Sequence, residues 1–227
     1  MVKIKAILFD LDNTLVDFMR MKKSCSEAAI RAMIDAGFKM KEKTALKLLF
    51  EMYAEYGIED QKIFEKFIKK TTGKIDYKIL ANGIAAYRLV KAGQLIPYPH
   101  VRSTLIKLTK RGIVLGIVSD APRMQAWLRL AELNLTDFFE VVIALEDTGK
   151  LKPSKMPFKA AIKKLKINPE EILFVGDNPE RDIKGAKRSG LITALAEYGA
   201  VIKGKEKPDI ILKEFSDLIP QIEKYEK

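Results

Sequence analysis

Two aspartates set two residues apart are the first groups in this chain able to do chemistry. In Ile7-Leu8-Phe9-Asp10-Leu11-Asp12-Asn13-Thr14 an apolar run ends in one carboxylate and a second follows at i+2. In extended backbone such positions point the same way, about 6–7 Å apart. One carboxylate can attack an electrophile while the other handles the leaving group's proton. The pair also makes half of a magnesium site, because hard cations take oxygen ligands; a polar turn after a strand would use the same residue types. A second acid pair stands in Ile172-Leu173-Phe174-Val175-Gly176-Asp177-Asn178-Pro179-Glu180-Arg181-Asp182. Gly176 lets the backbone turn sharply beside a ligand, and Asp177, directly after four apolar residues, requires a partner. Asp182 fits the same site or a helix N-terminus whose dipole favours an acid. Ser119, in Gly116-Ile117-Val118-Ser119-Asp120-Ala121-Pro122, fits an anion site at helix N-terminal amides or a plain N-cap. Lys152, in Lys150-Leu151-Lys152-Pro153-Ser154, is one lysine among many and gains meaning only from its company.

These residues need elements that bring them together. Apolar, β-branched runs bounded by turn signals predict strands at 4–9, 113–118, 141–145, 172–175, 192–196 and 210–212. Most are continuous rather than alternating, as in strands covered on both faces. Helical patterns at 100–110, 122–132, 154–165 and 181–189 lie between them. The alternation specifies an α/β fold with a parallel sheet, whose functional groups gather at the strands' carboxyl ends. Residues 17–97 break the pattern, with helical stretches at 25–36, 42–56, 61–70 and 77–91 separated by Gly37, Gly57 and Gly73. Their last turn is expected to end at Gly93, before Pro97 and Pro99. Four successive helices exceed one crossover, so 17–97 reads as an all-helical insert in a core formed by 1–16 and 98–227.

Composition narrows the class. With 227 residues and 48% hydrophobic content the chain can bury a sizeable core, which excludes global disorder. No apolar run approaches the ~20 residues that span a bilayer, and the start lacks a secretory h-region, so a cytoplasmic protein is expected. One cysteine allows no internal disulfide, and one histidine no multi-histidine metal site. The net charge of +11 is spread through both segments and interleaved with acids, which argues for a solvated surface rather than nucleic-acid binding. Such a surface draws in small anionic substrates. High Lys and Glu with few Asn and Gln resembles a thermophile's usage. His100 is read as a surface or capping residue, and Cys25, Trp127, Leu128, Leu130 and Leu133 as core. Phe18, Met19 and Arg20 fall at the expected hinge, where substrate contact and ordinary packing both remain open.

Taken in order, acid pair, hydroxyl, lysine and acid pair at successive strand-to-helix junctions resemble the four motifs of the haloacid dehalogenase (HAD) superfamily. Those motifs are Asp-x-Asp-x-Thr, Ser/Thr, Lys-Pro and Gly-Asp-x-x-x-x-Asp. The likeness covers 1–16 and about 98–215, and the helical insert is similar to that family's C1 cap. The resemblance implies a Rossmann-like core and a Mg²⁺-dependent phosphatase acting on a small phosphorylated metabolite, as a monomer or homodimer. It makes Asp10 the nucleophile that forms an aspartyl-phosphate, and Asp12 the acid for the leaving alkoxide and then the base for water. It assigns Mg²⁺ to the Asp10 carboxylate, the Asp12 backbone carbonyl and Asp177, and phosphate binding to Ser119, Asp120 and Lys152. Asp182 then orients the metal and Lys152 or ligates through water. Positive charge is required, because a carboxylate nearing a phosphate dianion meets several kcal/mol of repulsion at moderate dielectric. Asp12 favours phosphate ester hydrolysis over dehalogenation, since halide leaves unprotonated. A phosphomutase shares both aspartates and stays an alternative, as does a non-enzymatic phosphoacceptor module. Asp120-Ala121-Pro122 departs from the Asn-Gly of many relatives: Asp120 adds negative charge and Pro122 has no N–H to donate. The Ser-Asp-Ala-Pro turn and short cap look similar to a thermophile-associated group of glyceraldehyde 3-phosphate phosphatases.

Overall fold

The computed structural model describes residues 3–227. In chain order, β1 (Ala6–Phe9) is followed by four helices, α1 (Phe18–Asp35), α2 (Glu42–Tyr56), α3 (Ile63–Thr72) and α4 (Tyr77–Gln94). Then come α5 (Val101–Lys110), β2 (Val114–Val118), α6 (Arg123–Glu132), β3 (Val141–Ile143), α7 (Leu145–Thr148) and α8 (Lys155–Leu165). The chain continues through β4 (Ile172–Gly176), a π-helical turn (Pro179–Ile183), α9 (Lys184–Arg188), β5 (Ile192–Ala196), β6 (Ile210–Leu212) and α10 (Leu218–Tyr225). It divides into two compact units, Met1–Asp17 with Ile96–Lys227, and Phe18–Leu95.

The first unit is an α/β structure around one parallel sheet of order β3-β2-β1-β4-β5-β6. The expected α/β fold class is therefore observed. After β3 the chain returns to the other side of β1, so the winding reverses between β1 and β4, where open α/β sheets bind their ligands. Phe9 lies opposite Ile117 of β2 and Val175 of β4, so these strands end side by side. One sheet face carries Leu8 and Phe174, and Phe158 of α8 packs on it, the two phenyl rings meeting edge to face at 5.0 Å. On the opposite face Phe9 packs against Phe139 and Phe215. Burial of each such side chain is worth about 1.5–3 kcal/mol, enough to fix the register.

The second unit is all-helical and has its own core, with Met33, Leu49, Met52, Phe67 and Leu80 among its buried side chains. α2 presents Ala45, Leu49, Met52 and Tyr53 as one buried stripe. Asp76 caps α4 by accepting from the Lys78 and Ile79 amides. α3 ends at Gly73, whose φ of +80° is a left-handed conformation that only glycine adopts without penalty.

The elements differ from expectation at several points. β1 begins at Ala6 and β3 stops at Ile143, because the following residues turn directly into α7. α1 starts at Phe18, well before 25, so Phe18, Met19 and Arg20 form its first turn and Cys25 lies mid-helix, buried. α4 runs through Gly93 to Gln94. The expected helix at 181–189 is a π turn followed by the short α9, and α10 was not expected at all. Leu130 and Leu133 are buried, but Trp127 and Leu128 are 41% and 40% exposed and do not belong to the core. His100 precedes α5 in a left-handed conformation and makes no capping bond with its side chain. Among the described residues, no helix is long and apolar enough to cross a membrane.

Candidate active site

Asp10 follows β1, and its amide extends the ladder by donating to the Val175 carbonyl at 2.8 Å. This bond fixes the carboxylate between the ends of β1 and β4, where it is 2% exposed. Oδ1 accepts from the Leu11 amide and from Lys152 Nζ, each at 2.8 Å. Oδ2 lies 2.6 Å from Nη2 of Arg181.

Lys152 is fully enclosed. Its Nζ reaches Asp10 Oδ1 and Asp182 Oδ1, both at 2.8 Å, and donates to the Val118 carbonyl at 2.9 Å. Three acceptors match the three N–H bonds of an ammonium. Its amide donates to Asp120 Oδ1 at 2.9 Å, tying its loop to the end of β2. Lys150, by contrast, is exposed.

The second acid pair is shaped by the π turn. Asn178 Oδ1 accepts from the Glu180 and Arg181 amides, and Asp182 Oδ2 accepts from the Asn178 amide at 3.0 Å. Asp182 is thereby folded back under the end of β4. A Cβ on residue 176 would stand 2.6 Å from Asp182 Cβ, so only glycine admits this approach. Asp10, Asp177 and Asp182 each present an oxygen within 4.8 Å of the others. Arg181 Nη2 sits among them, 3.2 Å from Asp177 Oδ1 and from Asp182 Oδ2, with Nε 3.5 Å from Asp120 Oδ2.

Burial pushes the Asp177 carboxyl up to about 8, and the negative charges of Asp10 and Asp182 add to the shift against Arg181 and Lys152. Burial likewise raises Asp10 despite Lys152. For Asp182 burial also acts upward, but Lys152 and Arg181 outweigh it and hold the group below the usual carboxylate range. Lys152 is buried, which disfavours its charge, yet Asp10 and Asp182 keep it firmly protonated. Four carboxylates thus face two side-chain cations, leaving room for further positive charge. The oxygen-only donor set suits a hard divalent cation, and the Arg181 guanidinium already stands in as a cation touching all three clustered acids. The residues fit a divalent metal.

Asp12 and Ser119 are placed differently from this cluster. Asp12 Oδ2 lies 3.1 Å from Nη1 of Arg129, a buried side chain on α6. Ser119 ends β2, its amide donating to Ile143 and its hydroxyl accepting from the Ala121 amide at 3.1 Å. The structure therefore joins Asp10, Lys152, Asp177, Asp182 and, through Lys152 and Arg181, Asp120. Sequence reasoning missed Arg129 and Arg181. Arg129 shares a helical stripe with Ala126, Leu130 and Leu133, and an arginine in an apolar stripe is a legible signal. Arg181 is four residues from Asp177, a spacing that pairs side chains.

A family model described as haloacid dehalogenase-like hydrolase matches residues 7–196. A glyceraldehyde 3-phosphate phosphatase of Methanocaldococcus jannaschii is 37% identical over 94% of this chain and 91% of its own. Another of that name from Pyrococcus furiosus is 34% identical over 99% and 95%. Among solved structures, the magnesium-bound HAD-hydrolase YfnB of Bacillus subtilis superposes with a TM-score of 0.68 at 23% identity, over 97% of this chain and 99% of that one. The chain belongs to the haloacid dehalogenase-like hydrolases. Within them it is a phosphatase, a phosphoric monoester hydrolase.

Proposed function

We propose that this site hydrolyses small phosphate monoesters, glyceraldehyde 3-phosphate among them, through an aspartyl-phosphate on Asp10 with Mg²⁺ bound. The observation that carries this reading is the buried Asp10 carboxylate at the sheet's reversal point, in contact with Lys152 and within reach of Asp177 and Asp182. The names and identities of the two archaeal relatives support the substrate. Asp10, Asp177 and the Asp12 carbonyl would hold the metal, and Asp182 orients Lys152. When bound, Mg²⁺ supplies positive charge that offsets the repulsion between carboxylate and phosphate dianion.

Asp10 attacks phosphorus in line, the bond to the ester oxygen breaks, and Asp12 gives that oxygen its proton. Asp12, now ionised, takes a proton from water, whose oxygen attacks phosphorus and releases inorganic phosphate and free Asp10. Lys152 stays paired with the nucleophile throughout and neutralises charge on the phosphoryl group. The Ser119 hydroxyl and the Asp120 main-chain N–H contribute hydrogen bonds to the phosphoryl oxygens, the Asp120 carboxylate being committed to the Lys152 amide. The helical unit Phe18–Leu95 acts as the cap that selects the ester, and the reaction runs in the cytoplasm. The test is phosphate release from glyceraldehyde 3-phosphate with and without Mg²⁺, for the wild type and Asp10→Asn. Mg²⁺-dependent release abolished by the substitution is expected; release that survives it rejects the mechanism.

A further inference from the structure

Arg129 is a buried charge that the reaction described above does not use. It is 3% exposed and lies on α6 beside Ala126 and Leu130. A guanidinium does not lose its proton to escape burial, so its position must be answered by an acceptor, and Asp12 Oδ2 at 3.1 Å is one. Asp12 itself sits where the chain leaves β1, between the Asp10 turn and Asn13, whose φ of 57° reverses the backbone. An aspartate in such a turn has two free side-chain torsions, and only some of its rotamers point at a leaving oxygen.

Resting on the function proposed above, we propose that Arg129 is a positioning residue: its guanidinium, reaching Asp12 Oδ2 through Nη1, holds the Asp12 side chain in the orientation from which the carboxylic acid, protonated on its other oxygen, gives its proton to the departing ester oxygen. Proton transfer needs heavy atoms about 2.6–3.2 Å apart, and misplacement by about 1 Å can cost on the order of 100-fold in rate. The cation is delivered from α6, the helix that follows β2 and Ser119 in the chain. A side chain that merely filled space in α6 would leave the chemistry of the leaving group untouched.

Leaving-group dependence separates the two roles. A p-nitrophenolate departs as a stable anion and needs no proton, whereas an alkoxide does. Values of kcat/KM, which report phosphoryl transfer to Asp10 and not the later hydrolysis, are measured on glycerol 3-phosphate and p-nitrophenyl phosphate for wild type, Arg129→Met, Arg129→Lys, Asp12→Asn and the Asp12→Asn/Arg129→Met double variant. Arg129→Met is expected to lose about 30–100-fold on the alkyl ester and under about 5-fold on the aryl ester. Arg129→Lys, which keeps the charge without the guanidinium, shows the same split at smaller size and carries the test if the methionine variant does not fold. In the Asp12→Asn background the Arg129 substitution adds no further loss on the alkyl ester. Equal losses on both esters, or losses that multiply in the double variant, overturn the inference. If Asp12→Asn itself shows no alkyl-over-aryl loss, the proposed role of Asp12 fails instead, and the two failures are told apart.

Discussion

Replacing Arg181 by methionine keeps most of the side chain's volume and removes the cation that now touches three carboxylates. Its Nη2 lies 2.6 Å from Asp10 and 3.2 Å from both Asp177 and Asp182. At an effective dielectric of about 20, one such contact carries roughly 5 kcal/mol of gross attraction, most of which the loss of hydration cancels. Removing one partner from a buried pair costs about 3–5 kcal/mol. The Arg181 side chain is 32% exposed, so screening reduces the expected loss to about 2–3 kcal/mol. For a chain of this size that lowers the melting temperature of the metal-free protein by roughly 5–10 °C. The sign reverses toward Mg²⁺, which in the wild type must displace the guanidinium. The same free energy makes Mg²⁺ bind the variant about 30–100-fold more tightly. Calorimetric titration of Mg²⁺ into metal-free protein, with melts in chelator and in Mg²⁺, reads both effects. A variant that melts like the wild type in chelator and binds Mg²⁺ with unchanged affinity refutes the claim that Arg181 holds the cation position.

Lys152→Met removes the ammonium shared by Asp10 and Asp182. It is expected to cost about 3–5 kcal/mol of stability in denaturant titrations, the penalty for leaving buried charge uncompensated. Lys152→Arg is not expected to restore phosphatase activity, because a planar fork does not reproduce the three-acceptor arrangement around Nζ. The pH dependence of the metal-free protein follows from Asp177. Its carboxyl titrates near 8 when folded, against an ordinary value of 3.8. The native state then binds the proton more tightly than the unfolded chain, and this group's contribution falls as pH rises from about 4 to 8. Melting curves in chelator should lose temperature across that window, and saturating Mg²⁺, which favours the ionised carboxylates, should remove the loss. A chelated protein whose melting temperature rises steadily to pH 8 contradicts the assignment.

Much of the fold is written in the hydrophobic pattern. β1 and β4 read as unbroken apolar runs because both sheet faces are covered, and each ends in an acid because there the backbone leaves the core. α2 was legible to the residue from its single stripe. In the first turns of α1, Lys22, Lys23 and Ser24 interrupt the apolar composition, which shortens the expected helix, although Phe18, Met21 and Cys25 keep the helical spacing. In α6 two stripes overlap, and the apolar residues Trp127, Leu128, Leu130 and Leu133 fall on both of them, so composition does not say which one is buried. The buried stripe is the one that contains Arg129, and its charge disguised it. The acids and Lys152 stood out by their junction positions, whereas Arg129 and Arg181 did not. Local spacing pairs Arg181 with Asp177 and sets Arg129 in an apolar stripe, but their contacts with Asp10 and Asp12 depend on which strand ends become neighbours, and strand order is a property of the sheet.

Asp10 is the group proposed to take the phosphoryl. Rapid acid quench of the enzyme during turnover of glyceraldehyde 3-phosphate with Mg²⁺, followed by peptide mass spectrometry, reads this directly. One phosphoryl group on the peptide spanning 6–20, assigned by fragmentation to Asp10 and absent in Asp10→Asn, is the predicted result. Steady phosphate release with no phosphorylated protein at any quench time, or a phosphoryl group on another residue, contradicts it.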